Sequence, residues 1–162
     1  MALAMLSWLI ALPLLGLCTG LRAMTPMALI CWAGRLGYLP VSDTWASWVA
    51  HPVSVGVFTF LALGEYVGDK LPKTPKRITL FPLITRLAFG GLVGAIVATA
   101  LGSGLGEAIL LGLLGAAFGS FAGYHLRTHA VQASGWPDWR IAVAEDLFAI
   151  GASIVALSVV TG

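Results

Sequence analysis

The chain has 162 residues, of which 59% are hydrophobic and only 10% are charged. Soluble domains carry about 25% charged residues, so this composition excludes an ordinary soluble domain and predicts an all-α membrane protein. The formal net charge of +2 is too small to indicate a nucleic-acid partner. A chain of this length has room for a single integral membrane domain over residues 1–162.

Six apolar segments, separated by polar turns or by turns with glycine and proline, predict six membrane helices. Their predicted bounds are residues 2–19, 24–36, 52–66, 78–101, 107–126 and 138–160. Residues 37–52, between the second and third helices, are rich in tryptophan and also contain tyrosine, which is typical of the membrane interface. The expected architecture is therefore a polytopic membrane helical bundle.

The second apolar segment is an exception, because it is shorter than the roughly 20 residues that a full crossing needs. Gly20 and Pro26 flank its start, and both residue types interrupt helices. One interpretation is five crossing helices plus a re-entrant second segment, since short, broken segments are a sequence sign of a transporter binding site. The other is a short sixth helix whose terminal Arg22 and Arg35 extend to the membrane surface.

A basic loop between the third and fourth helices sets the expected orientation. Lys70, Lys73, Lys76 and Arg77 lie in the loop 70–77, and Lys and Arg are retained on the cytoplasmic side of membrane proteins. We therefore expect the loop in the cytoplasm and the protein in the cell inner (plasma) membrane as a multi-pass protein. Six crossings would divide into a 3+3 inverted repeat, an arrangement found in many transporters.

Ionisable side chains recur at one predicted depth, in the cytoplasmic half of the helices. Such groups are rare inside membranes and mark candidate functional sites. The candidate residues for binding an ion or a polar solute are Arg22, Glu65, Asp69, Arg86, Tyr124, Glu145 and Asp146. Four carboxylates face two arginines in this set, so either some carboxylates are protonated or a cation or water reaches them. The alternative is a structural salt-bridge network that fixes the helix register.

A metal site is a second candidate. His125 and His129 are four residues apart and would share one helix face, where they could join a carboxylate as ligands. Histidines at a membrane edge are also common without a metal, and no cofactor is expected. Cys18 and Cys31 lie in apolar stretches, which indicates a packing role rather than a disulfide.

Small residues recur at four-residue spacing in the last part of the chain. Gly90 and Gly94 lie in the fourth predicted helix, and Gly115, Gly119 and Gly123 lie in the fifth. This spacing lets the backbone of another helix approach closely. The partner is either a helix of the same chain or the same helix of a second protomer, and a homodimer is expected.

Three polar motifs within the apolar segments carry a family resemblance. They are GLRAMTP at residues 20–26, EYVGDKLP at 65–72 and AEDLFAI at 144–150, with Arg86 between the last two. In these motifs the chain resembles the bacterial membrane proteins grouped as domain of unknown function 4126. The resemblance covers nearly the whole chain and implies a compact multi-pass membrane protein whose charged candidate residues act together. The sequence Trp136-Pro137-Asp138 departs from the Asn-Pro expected before the last helix.

These features together favour a small transporter or channel. The carboxylates would bind a small ion or polar solute, and Arg22 and Arg86 would hold an anionic group or tune the carboxylates. Two alternatives stay open: a membrane-embedded enzyme acting on a lipid or isoprenoid head group, and a structural membrane protein without a small-molecule ligand. The sequence contains no GxSxG nucleophile motif, which favours the roles without catalysis. The expected partners are the lipid bilayer and the solute.

Overall fold

The structure is a computed structural model that describes residues 2–70 and 78–162, with side chains from residue 8 onward. The described residues form six α-helices, one 3₁₀ helix and no β-strand. The α-helices are α1 (Ala2–Leu21), α2 (Met24–Arg35), α3 (Pro52–Gly68), α4 (Leu80–Leu101), α5 (Leu105–Ser134) and α6 (Asp138–Thr161), and the 3₁₀ helix is Trp45–Ala50. The all-α prediction is confirmed. Most of the predicted basic loop, from residue 71 to 77, lies outside the described residues.

Three of the described helices are long and apolar enough to cross a membrane. They are α4 with 22 residues, α5 with 30 and α6 with 24. Two further apolar helices are shorter, namely α3 and the part of α1 from Trp8 to Leu21. Since an α-helix rises about 1.5 Å per residue, the three long helices match a hydrocarbon core of about 30 Å. Their length and composition indicate a helical membrane protein.

The helix ends follow from local sequence. His51 Nδ1 accepts a hydrogen bond from the Val53 backbone N–H at the start of α3. Pro52 occupies the first turn, where a backbone N–H would have no partner within the helix, so its absence costs nothing. At the other ends of two long helices, Gly102 closes α4 with φ 61° and Gly135 closes α5 with φ 65°. Both values lie in the left-handed region that glycine adopts without strain.

The fifth helix extends well beyond its predicted end. The prediction placed its end at residue 126 and left Arg127 and His129 beyond it, which is wrong. These residues lie within α5, which continues to Ser134. The stretch between residues 126 and 135 has no glycine or proline to stop the helix, and Gly135 then provides the stop. Arg127 is thereby held in a regular helix instead of a connector.

Helix α1 is at the centre of the bundle and packs against α2, α4, α5 and α6, most extensively against α5. Glycines on both helices bring the two backbones into contact. A Cβ built at Gly20 of α1 would lie 2.6 Å from Ser120 N, and one built at Gly119 of α5 would lie 2.9 Å from the carbonyl carbon of Leu17. Gly115 approaches the Pro13 carbonyl of α1 in the same way. Larger residues at these positions would separate the helices.

Helix α5 also packs closely against α4 through small residues. A Cβ at Gly90 would lie 2.6 Å from Ala116 Cβ, and one at Gly94 would lie 2.8 Å from the Ala108 carbonyl carbon. Gly123 is also buried on α5. The predicted small-residue positions at Gly90 and Gly94 therefore contact a helix of the same chain. Helix α3 lies farther out and packs against α2 and the 3₁₀ helix.

Substitution at this interface provides the first prediction. Gly94→Ala would press a methyl group onto the Ala108 backbone, and we expect it to lower the free energy of unfolding by about 1–3 kcal/mol. Gly151→Ala on α6 is the matched control, because its Cβ meets no atom within 4 Å. The control is expected to leave the protein as stable or up to about 1 kcal/mol more stable, since alanine favours the helix. Thermal unfolding in detergent measures both, and equal melting temperatures would contradict the packing assignment.

Candidate functional site

The candidate site is built around a break in the chain between the first two helices. Helix α1 ends at Leu21 and α2 begins at Met24, which leaves Arg22 and Ala23 between them. The Arg22 side chain is 0% exposed. A helix end leaves backbone carbonyls or amides without intrahelical partners. Because this break is buried, those groups need partners from other parts of the protein.

Arg86, from the second turn of α4, supplies partners for the end of α1. Its Nη1 donates to the Gly20 carbonyl at 2.8 Å and to the Leu21 carbonyl at 2.7 Å. A cation at this position also complements the negative end of the α1 dipole. Arg86 is only 7% exposed, so these hydrogen bonds are largely shielded from competing water.

Glu65, near the end of α3, supplies partners for the start of α2. Its Oε1 accepts from the Ala23 N–H and its Oε2 from the Met24 N–H, both at 3.0 Å. A carboxylate at a helix N-terminus is favourable because it faces the positive end of the dipole. Arg86 Nη2 also donates to Glu65 Oε1 at 3.2 Å. This Glu65–Arg86 pair therefore bridges both sides of the break with opposite charges.

Three carboxylates surround the guanidinium of Arg22. Nη1 lies 2.8 Å from Asp69 Oδ2, Nε lies 2.5 Å from Asp146 Oδ1, and Nη2 lies 3.5 Å from Glu145 Oε2. Asp69 is the C-cap of α3, and the other two carboxylates lie on α6. Arg22 thus joins the break to helices that are far apart in the sequence.

Arg127 extends this set of ion pairs on the side of α5. Its guanidinium contacts Asp69, lies 2.5 Å from Asp138 Oδ2 and lies 3.6 Å from Glu145 Oε2. The sequence analysis missed Arg127 and Asp138 as site residues. The signal that could have found Arg127 is the uninterrupted helical sequence after Leu126, which places it on the same helix as the packing glycines.

Lys70 is the second cation that the sequence analysis did not assign to the site. It was interpreted only as part of the basic loop that sets orientation. Its ammonium group lies 2.7 Å from Asp146 Oδ2 and 2.9 Å from the Tyr66 carbonyl. Asp146 is therefore held between Lys70 on one oxygen and Arg22 on the other.

These ion pairs form one network, which we call the ion network. Among the described residues it contains four cations and five carboxylates: Arg22, Lys70, Arg86 and Arg127 with Glu65, Asp69, Asp138, Glu145 and Asp146. The numbers of carboxylates and cations in the network are closer to equal than the four carboxylates and two arginines of the sequence prediction. Six of the seven predicted site residues lie in the network.

Tyr124, the seventh predicted residue, is half-buried on α5 and packs edge-on against the His125 ring at 5.4 Å between centroids. The tyrosine hydroxyl seen beside the helix break belongs to Tyr66, which lies 2.8 Å from the Thr25 hydroxyl. His125 and His129 are both exposed. No group of three or more His, Cys, Asp or Glu side chains suited to a metal ion occurs in the described part of the chain.

Two surface grooves end at the ion network. The α3/α4 groove has a volume of about 420 Å³, with a wall that includes Phe60 and Phe81 and a polar end formed by Glu65, Asp69 and Arg86. The α5/α6 groove has a volume of about 480 Å³, is floored by α1, and ends at Arg127 and Glu145; its wall includes Leu126, Phe118 and Phe148. Because Asp69 contacts Arg127, one ion pair lies between the polar ends of the two grooves.

The family model for the domain of unknown function (DUF4126) matches residues 9–160. The chain belongs to this family. The resemblance inferred from the three motifs is therefore confirmed, and those motifs contain most of the ion network: Arg22 in the first, Glu65, Asp69 and Lys70 in the second, and Glu145 and Asp146 in the third. No curated protein and no solved structure matches the chain.

The Glu65–Arg86 pair generates a stability prediction. Arg86→Gln removes the donors to Gly20 and Leu21 and leaves Glu65 without this cation. Removing one partner of a buried ion pair costs roughly 3–5 kcal/mol, so we expect a large drop in the melting temperature in detergent. Arg35→Gln is the matched control, because Arg35 is exposed at the opposite end of α2. If the two variants melt at the same temperature, Arg86 does not stabilise the helix break.

Proposed function

We propose that this protein moves a proton or a small cation across the membrane, with carboxylates of the ion network as the binding groups. The observation that carries the proposal is the helix break at Arg22 and Ala23, which lies inside the network. Secondary transporters place broken helices at their ion sites, because the freed helix ends and nearby charged groups can coordinate the ion.

The charge of the network supports a cation rather than an anion. Among the described residues, five carboxylates face four basic side chains. A proton or a cation is attracted by the carboxylate oxygens of the network, whereas an anion is repelled by them. We therefore propose the carboxylates as the ion ligands and the arginines as the groups that hold them in position.

Asp146 is the proposed central ligand, and Lys70 is the group that an entering cation would replace. Arg22 is 0% exposed and holds one oxygen of Asp146, while Lys70, with its side chain 27% exposed, holds the other. Lysine is a point charge on a flexible stem, unlike the planar guanidinium of arginine. A cation that reaches this edge would take the place of the ammonium group on Asp146 while Arg22 keeps the carboxylate oriented.

Flux through proteoliposomes tests this proposal, with dyes for pH and for monovalent cations inside the vesicles. Wild type is expected to pass protons or cations, and Asp146→Asn is expected to lose at least about 90% of the flux, since removing the charge of a central ligand costs more than the 1.4 kcal/mol that corresponds to tenfold. Asp43→Asn is the matched control, because Asp43 is exposed and far from the network. Lys70→Gln is expected to retain flux and to need less cation for half-maximal rate.

Two outcomes would contradict the proposal. The first is the absence of flux from folded wild-type protein, which would favour a structural role for the ion network. The second is equal flux in wild type, Asp146→Asn and Asp43→Asn, which would place any pathway elsewhere. Size-exclusion profiles and melting temperatures show whether each variant is folded. Because Lys70→Gln removes only the more exposed cation, it provides a second test if Asp146→Asn does not fold.

We also propose six crossings, arranged as 3+3, with the ion network at the cytoplasmic end. The end of α1, the start of α2, the end of α3 and the start of α4 meet at Glu65 and Arg86. This meeting supports helices that alternate in direction. The four basic residues of the loop 70–77 support the cytoplasm as the side on which this end lies.

Labelling of single cysteines tests the orientation. Ser134→Cys lies at the network end of the bundle, and Asp43→Cys lies in the connection between α2 and α3 at the other end; both positions are exposed. The native Cys18 and Cys31 are buried and should react slowly. In intact cells, a membrane-impermeant maleimide is expected to label Asp43→Cys and to label Ser134→Cys only after lysis. The reverse pattern would contradict the proposed orientation.

A further inference from the structure

The α5/α6 groove has the size and lining of a site for a hydrocarbon chain. Its volume is about 480 Å³, within the roughly 300–1,000 Å³ typical of ligand pockets. Phe118, Leu126 and Phe148 line it and are 64%, 73% and 54% exposed. Since these side chains face outward from helices that are apolar enough to span a membrane, the groove opens to the lipid.

The cation at the polar end of this groove is already paired with carboxylates of the protein. Arg127 contacts Asp69 and Asp138 and lies near Glu145. A charged head group would have to displace one of these carboxylates in order to bind Arg127. The charged group that attracts a ligand is therefore expected outside the ion network.

Arg140, in the first turn of α6, is such a group. It is exposed, and its guanidinium carbon lies 5.8 Å from the centroid of the Trp136 ring and 5.5 Å from that of Trp139. Over residues 8–70 and 78–162, no carboxylate forms an ion pair with it. The two tryptophans are about half exposed, as expected for residues at the level of the lipid head groups. The cation is thus held at that level by two rings, and no carboxylate among the described residues neutralises it.

Helical geometry places Arg140 at the edge of the groove, near the start of α6. Residues four apart share a helix face, so Arg140 lies one turn before Ala144, which lines the groove. Ile141, the next residue, also lines it. A molecule whose chain lies against Phe148 and Ala144 would therefore have its head group beside Arg140.

We infer that the α5/α6 groove binds an anionic phospholipid, with one acyl chain in the groove and the phosphate at Arg140. Basic residues beside membrane helices attract anionic lipid head groups by about 1 kcal/mol each, and guanidinium groups bind phosphate through paired hydrogen bonds. Free phosphate would use only Arg140, whereas a phospholipid uses both the cation and the apolar wall. Glu145 of the ion network lines the groove, but Arg140, the proposed phosphate contact, lies outside the network, so lipid binding can be measured whether or not the protein transports ions.

Native mass spectrometry of the purified full chain in detergent tests this site, with dioleoyl phosphatidylglycerol as the probe and dioleoyl phosphatidylcholine as the comparison. Wild type is expected to retain phosphatidylglycerol more tightly. Arg140→Gln should weaken that binding roughly fivefold, which is the 1 kcal/mol of one basic contact expressed as a ratio. Arg35→Gln, which removes an exposed arginine at the other end of the bundle, should change it less than twofold.

Blocking the groove tests the position of the acyl chain. Ala144→Trp places a large ring inside the groove, whereas Val143→Trp places the same ring on an adjacent exposed position that does not line it. Only Ala144→Trp is expected to reduce phosphatidylglycerol binding. Equal effects of the two tryptophan variants, equal effects of Arg140→Gln and Arg35→Gln, or equal wild-type affinity for both lipids would each overturn the assignment. Unchanged melting temperatures for Arg140→Gln and Ala144→Trp exclude a loss of binding through unfolding.

Discussion

Inside a bilayer, a helix that stops must find partners for its terminal carbonyls and amides within the protein, because the lipid offers none. Helix α1 stops at Leu21, and the rest of the polar structure is arranged around that stop. Arg86 donates hydrogen bonds to the last carbonyls of α1, and Glu65 accepts hydrogen bonds from the amides at the start of α2. Each charge faces the end of the helix dipole that it complements. The two residues also contact each other. The end of α1 is therefore connected to α2, α3 and α4.

The close packing of α1 explains why the break can be buried at all. Gly20 lies against the α5 backbone, where an added Cβ would be 2.6 Å from Ser120 N. The Ser120 hydroxyl in turn donates to the Gly20 carbonyl at 3.3 Å, the same carbonyl that Arg86 reaches from α4. A larger side chain at position 20 would move α1 away from α5 and expose the break. The small residues and the buried charges of this bundle thus depend on each other. The small residues allow the helices to approach closely, and the charged groups at the break need this approach in order to be buried.

The sequence was sufficient to predict the helical class and six of the nine described residues of the ion network, but not the pairing within it. Gly20 and Pro26 marked the break because neither residue type favours a helix interior. Glu65 and Asp69 are only four residues apart, yet they have different roles: Glu65 caps α2, while Asp69 contacts Arg22 and Arg127. Pairing depends on how the helices are arranged in space, which periodicity does not encode. Arg127 was missed for a local reason, because a polar run at a membrane edge resembles a connector even when it stays helical.

In the proposed function, the ion network both stabilises the bundle and binds the ion, because one of its cations is fully buried and another is partly exposed. Arg22 is fully buried and bonded to Asp69 at the end of α3 and to Asp146 within α6, so it cannot leave without separating the two helices. Lys70 contacts the second oxygen of Asp146 from the edge of the cluster and is partly exposed. Breaking the Arg22–Asp146 contact would cost the free energy of a buried ion pair. Breaking the Lys70–Asp146 contact would only exchange one cation for another. Stability and exchange can therefore share Asp146, because each uses a different oxygen of the same carboxylate.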